Sequence, residues 1–169
     1  MLNLLQIPLL FKSDKFLNRL ISLNHSLDEL EVQITAMLLE ENQAIATIPS
    51  IGNIIGAIII SEIGDISRFD SASKLVAFAG LDVSVKQSGE FIGTQNNISI
   101  KGSPYLRRSI RPTANRATFG DPVFSDYYQS LRLRGKHHLT AVGAVARKLY
   151  NIIFAVLRDN KPYQPMPKN

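Results

Sequence analysis

The chain has 169 residues, the size of one domain or of one domain with an arm, and its 45% hydrophobic content predicts a packed core rather than disorder. It has no cysteine, which excludes disulfides and cysteine-ligated zinc and is typical of a cytoplasmic protein. The net charge of +5 hides two opposite halves: residues 1–82 hold five Lys/Arg and ten Asp/Glu, whereas residues 83–169 hold fourteen Lys/Arg and four Asp/Glu. A basic half of this kind indicates a polyanionic partner such as nucleic acid, the alternative being a solvated basic face.

Two apolar runs could be mistaken for membrane or targeting segments. The run over residues 2–11 has no basic residues before it and no small-residue cleavage site after it, unlike a signal peptide. The run from Ile54 to Ile60 is far shorter than the roughly 20 residues that cross a bilayer. We therefore predict no membrane span and no membrane partner, and a cytoplasmic location.

Residues 14–46 are predicted to form a coiled-coil helix after an N-terminal extension over residues 1–13. Ser13 or Asp14 is the expected N-cap. Apolar residues then follow with alternating spacings of four and three, the a/d seam of a heptad repeat. The seam consists of Phe16, Leu20, Leu23, Leu27, Leu30, Ile34 and Met37. A second helix must bury such a seam, in this chain or in another copy, so we expect a homo-oligomer formed through the coiled coil.

The segment from Ile48 to Ala57 resembles the turn of a helix-hairpin-helix motif. Pro49 ends one element, and Gly52 is expected to permit the tight turn that begins the next helix. In such motifs a glycine lets backbone N–H groups approach a DNA phosphate without obstruction. An ordinary helical corner is the alternative.

A short helix is predicted from Asp70-Ser71 to Ala79, with Gly80 as the residue that ends it. Residues 81–89 alternate loosely and break at Ser88-Gly89, as a short strand or extended loop does before a turn. Residues 91–101 are predicted to form a flexible polar loop, and functional residues often lie on such loops.

Three further helices are predicted in the basic half, giving a mainly α fold. Ser103-Pro104 begins one that Pro112 should kink or end early. Asp121-Pro122 begins the next, which runs to Arg134 and stops at Gly135. The last, over about 139–158, is apolar on one side and is expected to form core. Residues 161–169 are a tail.

Ser88 lies at a predicted turn between Lys86 and the cluster of Lys101, Arg107 and Arg108, an arrangement that would suit attack on a DNA phosphorus. A serine hydroxyl needs a base, a metal or stabilisation of the attacked group. Guanidinium groups supply that stabilisation at a phosphoryl centre. From spacing alone, however, Ser-Gly is most often simply a turn.

A second basic cluster consists of Arg132, Arg134 and Lys136, next to His137-His138. It is expected at a helix C-terminus, where cations also interact favourably with the helix dipole. This second cluster could therefore either contact phosphate or stabilise the helix end.

Several blocks of the chain, taken in order, resemble the C-terminal transposase domain of insertion-sequence family one-ten, also called one-sixteen/nine-oh-two. The blocks are IPSIG at 48–52, EIGDI at 62–66, KLVAFAGL at 74–81, QSG at 87–89, ISIKG at 98–102, YLRR at 105–108, DPVF at 121–124, RGK at 134–136 and AVARKL at 144–149. None is decisive alone, but their order and spacing are specific. The resemblance covers roughly residues 15–163, with the heptad helix matching the coiled-coil arm before that domain.

The resemblance implies a DNA recombinase that moves its own element, guided by a noncoding bridge RNA. In the family, an N-terminal RNase H-like domain supplies four acidic residues for magnesium, and the C-terminal domain supplies a serine that becomes joined to DNA. That serine falls on Ser88. The basic residues of the Lys-Gly and Leu-Arg-Arg blocks fall on Lys101, Arg107 and Arg108.

The chain departs from the family pattern in three places. No acidic RNase H-like domain precedes the coiled coil, so we expect no cofactor in this chain, and magnesium only with the missing domain. Val83 stands where the family commonly has proline. Pro112 interrupts a stretch that is usually a continuous helix, and either change could disturb how Ser88 is presented.

We therefore predict the C-terminal DNA-binding part of an insertion-sequence transposase, with a serine domain over residues 47–160 and Ser88 as nucleophile. It would be an isolated portion or a truncated reading frame, inactive or nearly so alone, with DNA and a guide RNA as partners. The predicted nucleic-acid contacts are Gly52, Lys86, Lys101, Arg107, Arg108, Arg111, Arg132, Arg134, Lys136, Arg147 and Lys148. The alternative is a truncated, non-catalytic remnant that binds DNA or RNA and dimerises.

Overall fold

The computed structural model describes the backbone of residues 7–41, 43–82, 87–88, 91–92 and 102–165, and the side chains of residues 14–38, 44–82 and 102–165. These ranges contain six α-helices and one two-stranded antiparallel sheet, so the predicted mainly α fold is confirmed. In chain order the elements are α1 Ile7–Glu41, α2 Asn53–Ile63, α3 Ala72–Phe78, β1 Gln87–Ser88, β2 Phe91–Ile92, α4 Pro104–Gly120, α5 Pro122–Leu133 and α6 His138–Asp159. Short 3-10 turns occupy Gln43–Thr47 and Ile66–Arg68.

Helix α1 is a long arm whose described side chains, from residue 14 on, touch the helical body near its C-terminal end. The predicted start at Ser13 or Asp14 is wrong, because the helix begins at Ile7 with Pro8 in its first turn, where a missing N–H costs nothing. It ends at Glu41, so the last residues of the predicted coiled-coil helix lie in a 3-10 turn instead. Every side chain from 14 to 33 is exposed, and the first buried one is Leu38.

The contact of α1 with α2 is close because α2 carries a glycine there. A Cβ on Gly56 would lie 3.2 Å from Cγ2 of Ile45 and 3.4 Å from Cδ2 of Leu38. The Nδ2 of Asn53 also donates a hydrogen bond of 3.2 Å to Oγ1 of Thr35. These contacts fix the base of the arm.

The turn before α2 is built differently from the prediction. The N–H of Ile51 bonds the carbonyl of Ile48 over 3.1 Å, which closes a turn around Pro49 and Ser50. Ser50 has φ +67, whereas Gly52 has φ −83, a value open to any residue. The expectation that Gly52 provides the tight turn is therefore wrong, because the left-handed residue is Ser50, in the position that a type II turn gives to its third residue.

Two glycines end helices as predicted. Gly80 follows α3 at φ +67, with the N–H of Leu81 bonded to the carbonyl of Val76. Gly135 follows α5 at φ +76, with the N–H of Lys136 bonded to the carbonyl of Leu131. Both are Schellman caps, in which the glycine adopts a conformation unfavourable to other residues.

Helix α4 continues through Pro112, so the expected kink or early end is wrong. Proline removes the N–H that would bond the carbonyl of Arg108, and both residues are on the exposed side of the helix. On the other side Leu106, Ile110 and Ala114 are fully buried. Burial of that side maintains the helix.

Helix α6 is the centre of the core and contacts α3, α4 and α5. Its Leu149, Tyr150 and Ile153 are fully buried, which confirms its predicted core role. The hydroxyl of Tyr150 donates a 3.0 Å hydrogen bond to the carbonyl of Leu106 in α4. Among the described residues, α6 alone is long and apolar enough to span a membrane, but half of its most apolar stretch is buried in the fold, as in the core helix of a globular protein.

Candidate nucleic-acid interface

Residues 82–102 connect α3 to α4 and carry Ser88, and the end of this connection is held by an unusually close backbone contact. Gly102 has φ +150, and a Cβ on it would lie 2.3 Å from the carbonyl oxygen of Phe78 and 2.8 Å from the nitrogen of Gly80. The N–H of Ser103 donates a 2.8 Å hydrogen bond to the same carbonyl of Phe78. Only glycine fits both the conformation and the space.

The start of the same connection is held by Arg147 of α6. Its Nε donates a 2.8 Å hydrogen bond to the carbonyl of Leu81, whose side chain is buried. A charged donor makes this bond stronger than one between neutral groups. Both ends of the Ser88 connection are thus attached to the helical body.

Ser103 links this base to two helices. Its hydroxyl accepts the N–H of Leu106 over 3.2 Å, which confirms it as the N-cap of α4. The same hydroxyl donates a 2.6 Å hydrogen bond to Oε2 of Glu62 in α2. The start of α4 is therefore fixed against both α3 and α2.

Ser88 lies in the two-residue strand β1, which agrees with the predicted extended segment. β1 pairs antiparallel with β2, and Ser88 lies opposite Phe91 and Gln87 opposite Ile92. The first two residues of the predicted polar loop are therefore a strand. Lys86, Lys101 and the remainder of that loop lie outside the described residues.

Helix α4 presents a basic, acid-free surface. Arg108 and Arg111 are exposed, as their predicted role requires, and Arg107 is half-buried. Burial raises the pKa of Tyr150 above its usual range, and the positive charge of Arg107 opposes that rise. Arg116, which the sequence analysis did not select, is exposed on the same helix. Its place in the carboxylate-free run from residue 91 to 120 was a signal that could have identified it.

The corner between α5 and α6 brings Arg132, Arg134 and Lys136 together. Nη1 of Arg132 donates to the carbonyl of Lys136 over 2.7 Å, and Nε of Arg134 donates to the carbonyl of Ser130 over 3.0 Å. Both guanidinium groups thus stabilise a helix C-terminus while remaining exposed. Their contact with phosphate stays a prediction.

Two other predicted contacts have partners inside the fold. Arg147 is half-buried and bonds Leu81, as described above. The Nζ of Lys148 lies 5.0 Å from the centre of the Tyr127 ring and 5.9 Å from that of Phe124, within cation–π range. The structure therefore gives each of these residues a stabilising role, and their phosphate contacts stay predictions.

Gly52 lies at the N-terminus of α2 and leaves it open. No side chain caps this helix end, and a Cβ on Gly52 would meet no atom within 4 Å. The first N–H groups of α2 are therefore available to an anion.

The family resemblance implies magnesium, and the described residues do not fit it. No three His, Asp or Glu side chains in the described ranges are grouped so as to hold a metal ion. Asp121, a carboxylate of the basic half, instead caps α5 by accepting the N–H groups of Val123 and Phe124 over 2.9 and 3.1 Å.

Comparison with known proteins agrees with the resemblance. The model of the family described as Transposase IS116/IS110/IS902 family matches residues 42–129, just over half of the chain, and the chain belongs to this family. This range begins after α1 and includes the Ser88 connection and all of α4.

Individual relatives match over most of the chain. The Pilin gene-inverting protein of Moraxella bovis is 34% identical over 142 residues, which cover 83% of this chain and 44% of that protein. Two uncharacterized proteins of insertion elements are also similar: that of IS900 from Mycobacterium paratuberculosis is 32% identical over 81% of this chain and 36% of its own length. The protein of IS110 from Streptomyces coelicolor is 31% identical over 80% of this chain and 34% of its own length. The chain thus spans less than half the length of these relatives.

The backbone contact at Gly102 generates a prediction. Gly102→Ala should lower the free energy of unfolding by about 2–4 kcal/mol, because the new Cβ meets backbone atoms of α3 and the left-handed φ is strained. Gly143→Ala is the matched control: Gly143 is in α6 with no atom within 4 Å of the added Cβ, so this change should raise stability by up to about 1 kcal/mol. Chemical denaturation measures both, and equal effects would contradict the assigned contact.

Proposed function

We propose that this chain is the DNA-binding, serine-bearing part of an insertion-sequence transposase, with Ser88 as the nucleophile that attacks DNA. Family membership is the observation that carries the proposal, and the geometry around the Ser88 connection supports it. A nucleophile on a connection needs a fixed base, and here Gly102 and Arg147 attach its two ends to α3 and α6. Matches to DNA-rearranging relatives agree, since one is named for inverting a pilin gene.

The proposed chemistry is phosphoryl transfer. Oγ of Ser88 forms a bond to a DNA phosphorus as a P–O bond to the neighbouring nucleotide breaks, the serine proton is lost, and the departing oxygen gains a proton. Arg107, Arg108 and Lys101 would stabilise charge on the phosphoryl oxygens. Magnesium would be held by an acidic RNase H-like domain outside these residues.

Nucleic-acid binding follows from the distribution of charge. Helix α4 carries four arginines and no carboxylate, the open N-terminus of α2 offers N–H groups, and the α5–α6 corner adds exposed cations. DNA is the proposed substrate, with a guide RNA as the second nucleic acid, in the cytoplasm. Without Ser88 chemistry the same surfaces would serve the alternative function, a non-catalytic remnant that binds nucleic acid.

The arm α1 would assemble two copies. Phe16, Leu20, Leu23, Leu27 and Leu30 are all more than 40% exposed, and none has a partner helix within the described chain. An exposed seam of this regularity is stabilised by pairing with a second identical seam.

Binding is tested by removing two exposed cations of α4. Arg108→Gln with Arg111→Gln should weaken binding of duplex DNA, and should reduce the slope of log K against log salt by about 2, between about 50 and 200 mM salt. The control is Arg19→Gln, which removes an exposed arginine from α1 in the acidic half and should change neither the affinity nor the salt slope. Fluorescence anisotropy measures both, and binding that is independent of salt would rule out the proposed interface.

The nucleophile is tested by trapping. The chain, mixed with an acidic RNase H-like domain of the family, magnesium and DNA carrying the element's ends, should give a covalent protein–DNA adduct that survives denaturing electrophoresis. Ser88→Ala should abolish it, whereas Ser84→Ala, the next serine toward the N-terminus, should not. An adduct that persists in Ser88→Ala would place the chemistry elsewhere, and no adduct in any variant would favour the non-catalytic remnant.

Assembly is tested on α1. Leu23→Asp with Leu30→Asp should convert a dimer to a monomer, because each places a charge in the seam, while nucleic-acid binding by the monomer persists. Val32→Asp is the control, since Val32 is as exposed as the seam residues but lies on the opposite side of the helix. Light scattering gives the molar mass, and a monomeric unmodified chain would refute pairing through α1.

A further inference from the structure

The exposed side of α4 carries aromatic as well as basic residues. Successive residues of an α-helix are about 100° apart, so two exposed aromatic and three exposed basic side chains of α4 share one face. They are Tyr105, Arg108, Arg111, Arg116 and Phe119, which we name the α4 stripe. The face also carries Pro112 and the amide of Asn115, and it has no acid.

The two aromatic residues of the α4 stripe are not core residues. Tyr105 is 62% exposed and Phe119 is 77% exposed, and they are at opposite ends of the helix, about 21 Å apart along its axis. By contrast, the aromatic residues Phe124 and Tyr150 of the two following helices are fully buried. The fold therefore does not use the rings of Tyr105 and Phe119.

Each end of the α4 stripe adjoins another part of the proposed interface. Tyr105 lies two residues after Ser103, whose N–H donates a hydrogen bond to the carbonyl of Phe78 at the base of the Ser88 connection. At the other end, a Cβ on Gly120 would lie 4.0 Å from Oγ of Ser50, in the turn that precedes the open N-terminus of α2. The stripe thus runs from the base of the Ser88 connection to a second phosphate-binding candidate.

The chemistry of the stripe matches a strand whose bases are unpaired. Guanidinium groups bind phosphates, and exposed rings stack on bases, but in a duplex neighbouring base pairs cover the faces of each base. A stacked strand advances 3.4 Å per nucleotide, so about 21 Å corresponds to about six nucleotides. Three cations between two rings are therefore suited to a short single-stranded segment.

We infer that the α4 stripe binds a single-stranded segment of nucleic acid, with unpaired bases stacked on Tyr105 and Phe119 and the backbone held by Arg108, Arg111 and Arg116. The inference rests on the proposed function and adds a substrate preference to it: the surface distinguishes unpaired strands from duplex. Strand separation beside the Ser88 connection, or an unpaired loop of RNA, would present such a segment.

The experiment compares the affinities of the 169-residue chain for three fluorescent probes of one sequence: single-stranded DNA, single-stranded RNA and duplex DNA. Tyr105→Ala and Phe119→Ala should each weaken single-strand binding about tenfold and duplex binding less than about threefold. Tyr105→Phe and Phe119→Trp should retain binding, because they keep a ring. Leu139→Ala, which removes an exposed apolar side chain from α6, is the control and should leave the ratio of the affinities unchanged.

The outcomes separate this inference from the proposed function. Selective loss of single-strand binding supports it, and the DNA and RNA probes show which strand is preferred. Equal losses of affinity for single strands and duplex would overturn the inference, and so would no loss on any probe. In either case, duplex binding that weakens with salt would leave the proposed function intact. A change in molar mass without a change in binding would also overturn it and assign the rings to a protein contact. If the unmodified chain binds no probe, the proposed function itself fails.

Discussion

The contact between Gly102 and the end of α3 is the constraint on which the rest of the proposed site depends. It brings two segments of backbone closer than any side chain allows, and Ser103 at once bonds the same carbonyl and begins α4. Arg147 holds the other end of the connection at Leu81. The places at which the Ser88 connection leaves and rejoins the helical body, and the start of α4, therefore follow from contacts at the end of α3.

The separation of charge along the sequence corresponds to a separation of tasks in the fold. The acidic half forms the arm α1 and the helices that pack its base, whereas the basic half forms the surface of α4 and the α5–α6 corner. Two of the four acids in the basic half have local structural roles: Asp121 caps α5, and Asp159 pairs with Arg158 over 2.7 Å. Both of these acids lie outside α4, which has no carboxylate that would repel a phosphate.

Local signals predicted most of the helices. Four helix caps were predictable, because the capping hydrogen bonds of a helix end join residues only a few positions apart. They are Ser103, Asp121, Gly80 and Gly135. Local rules failed at Pro112 and at the turn before α2. Pro112 stays within a helix because the buried side of α4 outweighs one lost hydrogen bond, and the turn before α2 uses Ser50 in place of glycine. The serine of the candidate site came from the resemblance, since Ser-Gly by itself indicates only a turn.

The sequence by itself determined the mainly α composition, the basic half and the family, because each is recorded in residue order and spacing. The tertiary structure decided which cations face outward. Arg147 and Lys148 adjoin each other in a basic block, yet one bonds Leu81, 66 residues away, and the other lies over the rings of Tyr127 and Phe124. Arg116 is exposed on α4, and Gly102 is indispensable because its backbone packs against Phe78 and Gly80 at the end of α3. Such contacts depend on how helices pack, which no local pattern records.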